Sequence, residues 1–288
     1  MIPVLKRILY GIYVIAIAVF FVYYLFPSEK IKRYLIDTVG QANPDVTLTI
    51  KRVKPILPPG LGLHDVEVYH RDAALIGLDS LKLTPVLWSL WGPKTTWAFN
   101  VQTCGGVIKG TADIAENAAQ REILIDAQLA GIQIGQIAAI QNMSDNNLSG
   151  ILGGQVAGTV SAPHPTLTGN LRISEIEIEL AAPMFNEQTL TFRDIEADVA
   201  LNQRALTIKR CRLQGNQMDA DLAGTVALNG PAGPPGLKLS GRLKPHHVFL
   251  AKIEKSLPAD LLSRNHKNAD GFAFQINGTL DAPEFAFE

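Results

Sequence analysis

Ile173-Ser-Glu-Ile-Glu-Ile-Glu-Leu180 alternates between apolar and acidic residues, and Ile195-Glu-Ala-Asp-Val-Ala-Leu201 repeats this alternation further along the chain. Successive side chains of a strand point to opposite faces, so each stretch predicts a strand with one apolar and one charged face. Such strands belong to antiparallel sheets that bury one side and leave the other in water. The sequence therefore predicts a mainly β protein.

The acidic residues of these two strands have two interpretations. They are Glu175, Glu177 and Glu179 in the first strand, and Asp194, Glu196 and Asp198 in the second. A cation site is one interpretation and a hydrated sheet face is the other. Because the carboxylates run along the strands and do not converge, the hydrated face is favoured and no metal site is predicted.

Glycine recurs within strand-like sequence, as in Gly110-Thr111 and Gly224-Thr225. Glycine weakens a strand but permits a bulge, a bend or the close approach of another backbone. Its repetition in many short strands predicts a long, strongly curved antiparallel sheet. Since no clean linker interrupts residues 45–288, we expect one elongated, β-rich body over this range.

Two stretches of this body resemble each other, at about 124–167 and 237–285. Each has a strand, then a helical pattern, then a strand that ends in Gly-Thr-x-x-Ala-Pro. The helical patterns lie near residues 134–141 and 248–262. We therefore predict an internal repeat with two short helices.

An uncharged run, residues 8–26, precedes the β-rich body. As a helix it would be roughly 28 Å long, close to the thickness of a hydrocarbon core. It ends in Tyr23-Tyr24-Leu25-Phe26-Pro27, without the small-residue pair of a signal-peptide cleavage site. We predict an uncleaved transmembrane anchor over residues 1–27. A signal peptide and a buried soluble helix are the competing interpretations.

The charges that flank this run nearly balance. Lys6 and Arg7 precede it, and Lys30, Lys32 and Arg33 follow it, so the positive-inside rule gives almost a tie. A short N-terminal stub is the easier part to leave in the cytoplasm. We therefore expect a single-pass protein of a bacterial inner membrane with its bulk in the periplasm. A cytoplasmic domain is the alternative.

Residues 28–44 predict a short amphipathic helix. Ile31, Tyr34, Leu35 and Val39 recur at helical spacing. We expect this apolar side to pack on the first strands, and a position at the membrane surface is the alternative.

Three tryptophans crowd a stretch that proline and glycine interrupt. They are Trp88, Trp91 and Trp97. We expect them to pack together. An exposed aromatic patch that faces lipid is the alternative.

The chain has a formal net charge of -1, and no basic stripe is evident. A nucleic-acid partner is therefore not expected. The two cysteines, Cys104 and Cys211, stand far apart in the sequence. One disulfide in an oxidising compartment and two unpaired buried thiols are both open. Because neither cysteine has a CxxC neighbour, no zinc site is predicted.

The sequence holds no HExxH, GxSxG, P-loop or Rossmann signature. His246-His247 is the only adjacent histidine pair, and neighbours on a strand point to opposite faces, which makes a poor chelator. We therefore expect a protein without catalytic residues, metal or cofactor. An envelope enzyme with a dispersed site is the remaining alternative.

The N-terminal anchor, the segment Pro55-Ile-Leu-Pro-Pro-Gly-Leu61 and the repeated Gly-Thr-x-x-Ala-Pro strands resemble the type II secretion system protein N (GspN) family. The likeness is to its longer form, which is similar to AsmA-type proteins, and covers most of the chain. It implies an inner-membrane protein whose periplasmic β domain accompanies the secretion machinery. The AsmA side implies a curved sheet with an apolar concave face, a shape associated with lipid handling. The family has no catalytic residues to transfer.

Two functions are compatible with these features. We expect a non-enzymatic component of the type II secretion system that binds other secretion proteins through exposed strand edges. The alternative is an AsmA-like module that binds or transfers lipid in an unfilled apolar groove. The candidate groove residues are Phe272, Phe274, Ile276, Phe285 and Phe287. A packed core would use the same residues.

Overall fold

The structure is a computed structural model of the chain. It describes residues 6, 9–11, 13, 14, 17, 20, 21, 23–57, 59–71, 73–92, 94–117, 120–143, 147–160, 165–184, 187–228, 235–247, 249, 271–279 and 282–287. The described residues form one sheet of 14 strands, in which each strand pairs with the next along the chain. Every pairing is antiparallel, which confirms the predicted mainly β fold.

The strands follow the chain in simple succession. They are β1 (Val46–Ile56), β2 (Gly60–His70), β3 (Ala73–Pro85), β4 (Lys94–Thr103), β5 (Gly106–Asn117), β6 (Gln120–Gln133), β7 (Asn147–Val160), β8 (Thr166–Met184), β9 (Glu187–Leu201), β10 (Ala205–Gly215), β11 (Met218–Ala227), β12 (Gly236–Pro245), β13 (Phe272–Gly278) and β14 (Pro283–Phe287). The described helical elements are α1 (Ser28–Ala42), α2 (Ala138–Met143) and two short 3₁₀ helices, Leu87–Trp91 and Ile134–Gln136.

The connections between strands lie at two opposite ends of the sheet, because successive strands run in opposite directions. The connections that follow odd-numbered strands lie at one end, which we call the tryptophan end; Leu57 and the 3₁₀ helix Leu87–Trp91 are there. Those that follow even-numbered strands lie at the other end, which we call the helix end; Cys104 and α2 are there.

One face of the sheet is apolar, because the strand register places apolar residues side by side. Directly paired residues of neighbouring strands share a face. One continuous row, which we call the long row, consists of Pro85, Trp97, Ala112, Ile125, Gly158, Leu167, Leu201, Leu206, Val226 and Leu237. A second row consists of Phe99, Gly110, Ala127, Val156, Gly169, Val199, Ile208, Gly224, Leu239, Ile276 and Phe285.

Irregular residues keep the apolar side chains on this face where the alternation shifts. In β8, Ile173 and Ile176 join the same cluster although they have opposite parity along the strand. Glu175 between them adopts a left-handed conformation, with φ of 54°. Asp65, with φ of 52°, has the same role in β2. Without such an irregularity, the apolar residues that follow would turn toward water.

Two clusters of buried residues form the core. One comprises Ile50, Val53, Leu63 and Val66 in β1 and β2. The other comprises Ile176, Leu190, Phe192, Met218 and Phe249, toward the helix end. Burial therefore lies toward the helix end in β8 to β11, whereas in β1 and β2 it lies midway along the strands and extends toward the tryptophan end.

Helix α1 packs on the first of these clusters through Ile31, Leu35 and Ile36. Tyr34 was predicted on the same side but is 69% exposed. At about 100° per residue, the stripe from Ile31 to Ile36 passes through Leu35, and Tyr34 falls outside it. The helix therefore presents its tyrosine to the surroundings and its aliphatic residues to the sheet.

Much of the uncharged run at residues 8–26 lies outside the described residues. Its described residues from Leu9 to Tyr24 are helical, and most of the large apolar ones are exposed. Within the described part of the chain, no helix is both long and apolar enough to cross a membrane. The anchor over residues 1–27 stays a prediction.

The predicted repeat is described only in part. In the first copy, β6 is followed by a 3₁₀ helix, α2 and β7. In the second copy, β12 precedes β13, and the helical pattern at 248–262 lies outside the described residues except for Phe249. Residues 161–164, 280 and 281 of the Gly-Thr-x-x-Ala-Pro endings are also outside them. The repeat stays a prediction.

The first testable prediction concerns Gly110 in the second apolar row. A Cβ atom at this position would collide with the carbonyl oxygen of Asp126 and lie 2.6 Å from Cζ of Phe99. We expect Gly110→Ala to lower the free energy of unfolding by about 1–3 kcal/mol, because the sheet has to shift to accept the methyl group. Urea unfolding of the full chain in mild detergent measures this change.

The matched control is Gly77→Ala in β3, where an added Cβ meets no atom within 4 Å. This variant should unfold within about 0.5 kcal/mol of the parent chain. Equal stability of the two variants would contradict the close strand packing described here.

Candidate functional site: the open part of the apolar face

The apolar face is packed toward the helix end and open toward the tryptophan end. Every member of the long row is partly buried; none is fully buried and none is fully exposed. We call the part of this row from Trp97 in β4 to Leu237 in β12 the open row. Neighbouring strands lie about 4.8 Å apart, so the open row extends for about 38 Å along the sheet. Soluble domains normally cover an apolar sheet face with a second layer.

The open row offers hydrophobic contact and few polar groups. Its members are aliphatic, small or aromatic, and the only side chain among them with a polar atom is Trp97. The strands that carry it pair with neighbours on both sides, so their backbone N–H and C=O groups are used within the sheet. Chemically, this surface can hold an apolar molecule without requiring hydrogen bonds from it.

The five predicted groove residues come together on the apolar face at the last two strands. Phe274 stacks on Phe285 with ring centroids 5.4 Å apart, and Phe287 meets the edge of Phe285 at 4.8 Å. Phe272 lies 6.2 Å from Phe287, and Ile276 pairs with Phe285 across the strands.

These aromatic residues divide between a packed core and an exposed surface. Phe272 and Phe274 are buried, as a core would require. Phe285 is 47% exposed and continues the apolar face to β14. The outer edge of β14 has no strand beside it within the described residues.

The opposite face of the sheet is charged and exposed to water. Its acidic rows alternate with arginines of neighbouring strands: Arg172 lies 2.9 Å from Asp194, and Arg210 lies 3.0 Å from Asp198. The hydrogen bond to Asp194 raises the pKa of Arg172. The described residues contain no group of three or more residues that could hold a metal ion. Asp194 and Asp198 of β9 are therefore paired with arginines on the hydrated face.

The two cysteines are both unpaired and buried. Cys104 lies at the turn between β4 and β5, whereas Cys211 lies in β10 on the apolar face. Of the two alternatives left open by the sequence, the structure has the free thiols. Burial raises the pKa of Cys211, and the negative charge of Asp221 adds to this effect. The thiol of Cys211 is therefore a poor nucleophile near neutral pH.

The expected packing of the three tryptophans was wrong. Trp88 and Trp91 are 88% and 81% exposed, whereas Trp97 is half-exposed on the apolar face. The hydroxyl of Ser89 donates to the carbonyl oxygen of Val86 (2.7 Å) and accepts from the backbone N–H of Thr96 (2.8 Å). These bonds fix the 3₁₀ helix across the ends of β3 and β4, with its two indole rings outward.

His246 contacts the carboxylate of Asp219 at the helix end. Its Nε2 lies 3.2 Å from Oδ2 of Asp219, and its Nδ1 lies 3.0 Å from the carbonyl oxygen of Asn216. The hydrogen bond to Asp219 raises the pKa of His246 above its usual value, and the Asn216 carbonyl adds to this effect while burial opposes it. The pair links His246, the first residue after β12, to Asp219 near the start of β11.

Compared with models of known protein families, with curated proteins and with solved structures, the chain has no match. Its function has to be inferred from the open row, the exposed tryptophans and the strand edge.

The second testable prediction concerns the His246–Asp219 pair. Because the folded-state pKa of His246 is raised, the pair stabilises the fold fully below about pH 6.5, the ordinary histidine value. This contribution is lost as the pH rises through the raised pKa. We therefore expect Asp219→Asn to reduce the free energy of unfolding more at pH 5.5 than at pH 8.5.

Urea unfolding at the two pH values measures this difference, and NMR titration of His246 should show a lower pKa in the variant. Asparagine keeps an oxygen for the backbone N–H of Gly215, which Asp219 accepts at 3.1 Å. A pH-independent loss of stability would show that the charge of Asp219 is not what matters.

Proposed function

We propose that this protein is a non-enzymatic, membrane-anchored component of the bacterial cell envelope that binds lipid acyl chains on its open row. The observation that carries this proposal is an apolar row about 38 Å long on a single-layered sheet, whose members are only partly buried. Large exposed apolar surfaces mark sites for lipid, ligands or partners. An AsmA-like lipid module would use such a face.

An acyl chain fits this surface better than a peptide does. A peptide brings backbone N–H and C=O groups that would be left without partners over an apolar sheet face. An acyl chain has none, and each buried CH₂ contributes about 0.8 kcal/mol. The row has two small members, Ala112 and Gly158, and its other members are larger apolar residues.

The anchor part of the proposal is supported by the exposed apolar residues of the N-terminal run. Phe20, Phe21 and Tyr24 are helical and face outward instead of packing on the sheet. In a bilayer, exposure of this kind on a helix is favourable. We propose that this run holds the protein in the inner membrane, with the β-rich body in the periplasm.

The third testable prediction places a charge in the open row. Leu167 in β8 is half-exposed there, so a glutamate can be accommodated but will repel an acyl chain. We expect the full chain with Leu167→Glu, extracted in mild detergent, to retain several-fold less copurifying lipid than the parent chain. Lipid extraction and mass spectrometry measure the amount.

The matched control is Thr168→Glu, which adds the same charge to the next residue on the exposed, hydrated face. Both variants carry the same N-terminal run, so lipid held by that run cancels in the comparison. Equal lipid in the two variants would refute lipid binding on the open row.

A second candidate function, a component of the type II secretion system, is favoured by the edge of β14. This strand, Pro283–Phe287, has an outer edge without a neighbour in the described part of the chain and carries no lysine or arginine. Pro283 and Glu284 protect the first part of this edge, so the remaining stretch, Phe285–Phe287, is the part that can accept a partner strand by β-augmentation. The resemblance to GspN proteins suggests a secretion-system protein as that partner.

The fourth testable prediction concerns this edge. A photo-crosslinking residue at exposed Ala286 in β14 should form adducts with secretion-system components in intact cells. The control places the same crosslinker at Arg242, an exposed residue in β12, which is paired on both sides. Adducts at both positions, or at neither, would argue against an interface specific to the edge.

A further inference from the structure

The tryptophan end carries exposed apolar side chains on neighbouring turns. Trp88 and Trp91 lie on the connection between β3 and β4, and Leu57, which is 67% exposed, lies after β1. Because β1 to β4 are consecutive in the sheet, these turns are separated by about two strand spacings, or roughly 10 Å. Indole rings with an apolar body and a polar N–H favour the interface between membrane and water.

The charged residues that β1, β3 and β4 carry beside these turns are lysines, whereas the next strand, β5, carries Asp113 opposite Thr96. Exposed Lys54, Lys82 and Lys94 lie in the halves of β1, β3 and β4 that face the tryptophan end. The described residues of these half-strands, 53–57, 60–64, 80–92 and 94–99, contain no aspartate or glutamate. Anionic headgroups attract such lysines, each worth about 1 kcal/mol near a membrane surface.

The N-terminal run reaches the sheet from the same direction. Residues 43–45 form a tight turn between α1 and β1, and the backbone N–H of Val46 donates to the carbonyl oxygen of Asn43. Among the strands, α1 packs mainly along β1, so the two run in opposite directions. The start of α1, next to Phe26, therefore points toward the tryptophan end.

From this arrangement we propose that the tryptophan end docks on the surface of an anionic lipid bilayer, with Trp88, Trp91 and Leu57 in the interface. The inference rests on the proposed function for the presence of a membrane beside the chain. It adds an orientation, with the strands directed toward the bilayer. The open row, which begins at Trp97, then lies near the membrane, and an acyl chain reaches it without crossing open water.

The experiment uses the full chain in vesicles of phosphatidylcholine and phosphatidylglycerol, with a nitroxide on some phosphatidylcholine headgroups. Two variants each keep one tryptophan: W91F/W97F keeps Trp88, and W88F/W97F keeps Trp91. We expect the nitroxide to quench both tryptophans several-fold more strongly than a tryptophan placed at the helix end. Quenching should weaken when phosphatidylglycerol is left out.

The matched control is W88F/W91F/W97F with Gln41→Trp, which places the probe at an exposed position in the last turn of α1. Quenching of Trp88 and Trp91 no stronger than in this control would overturn the docking proposal. Equal quenching with and without phosphatidylglycerol would refute the proposal that the bilayer has to be anionic.

Lipid binding on the open row and docking of the tryptophan end can be refuted independently of each other. If Leu167→Glu removes the copurifying lipid but Trp88 and Trp91 are not quenched, lipid binding stands and docking is refuted. If the tryptophans are quenched but Leu167→Glu and Thr168→Glu retain equal lipid, docking stands and lipid binding on the open row is refuted.

Discussion

The register between neighbouring strands is the constraint on which the rest of this structure depends. A single sheet without a second layer has to keep its apolar side chains on one face through every strand, because a shift of one residue turns the remainder of a strand over. Paired residues such as Leu167 and Leu201 maintain that face directly. Where parity changes, left-handed residues such as Asp65 and Glu175 restore it.

The meander topology explains why only one end of the face is packed. Most connections are hairpin turns, which are too short to fold back over the sheet. Described helical segments precede β1 and follow β6, and the connection after β6 lies at the helix end, as does Phe249, which follows β12. Buried residues such as Phe192 and Phe249 gather there, whereas the only described helical element beside the open row is the short 3₁₀ helix Leu87–Trp91, whose two indole rings are exposed. The open surface is thus a consequence of chain order.

Much of the fold could be predicted from residue alternation. The stretches 173–180 and 195–201 identified β8 and β9, and Ile173 pairs with Ile195. The left-handed conformation of Glu175 could not be predicted, because its cause is the apolar pattern on either side of it and not its own residue type. Periodicity also identifies a face without revealing what covers it. For that reason Trp88 and Trp91 were expected to pack but are exposed; the prolines at 85 and 93, which bound their segment, were the available signal for a surface loop.

The charged face restricts the proposed lipid contact to the apolar side of the sheet. Exposed ion pairs contribute little individually, usually under about 1 kcal/mol. Here their more important effect is to reduce repulsion between like charges. The acidic residues of β9 would repel one another without Arg172 on one side and Arg210 on the other. These ion pairs keep the face charged and hydrated, which disfavours contact with acyl chains. In the proposed function, lipid therefore reaches the sheet from the apolar side only. The strand register that holds the sheet together also separates its apolar face from its charged face.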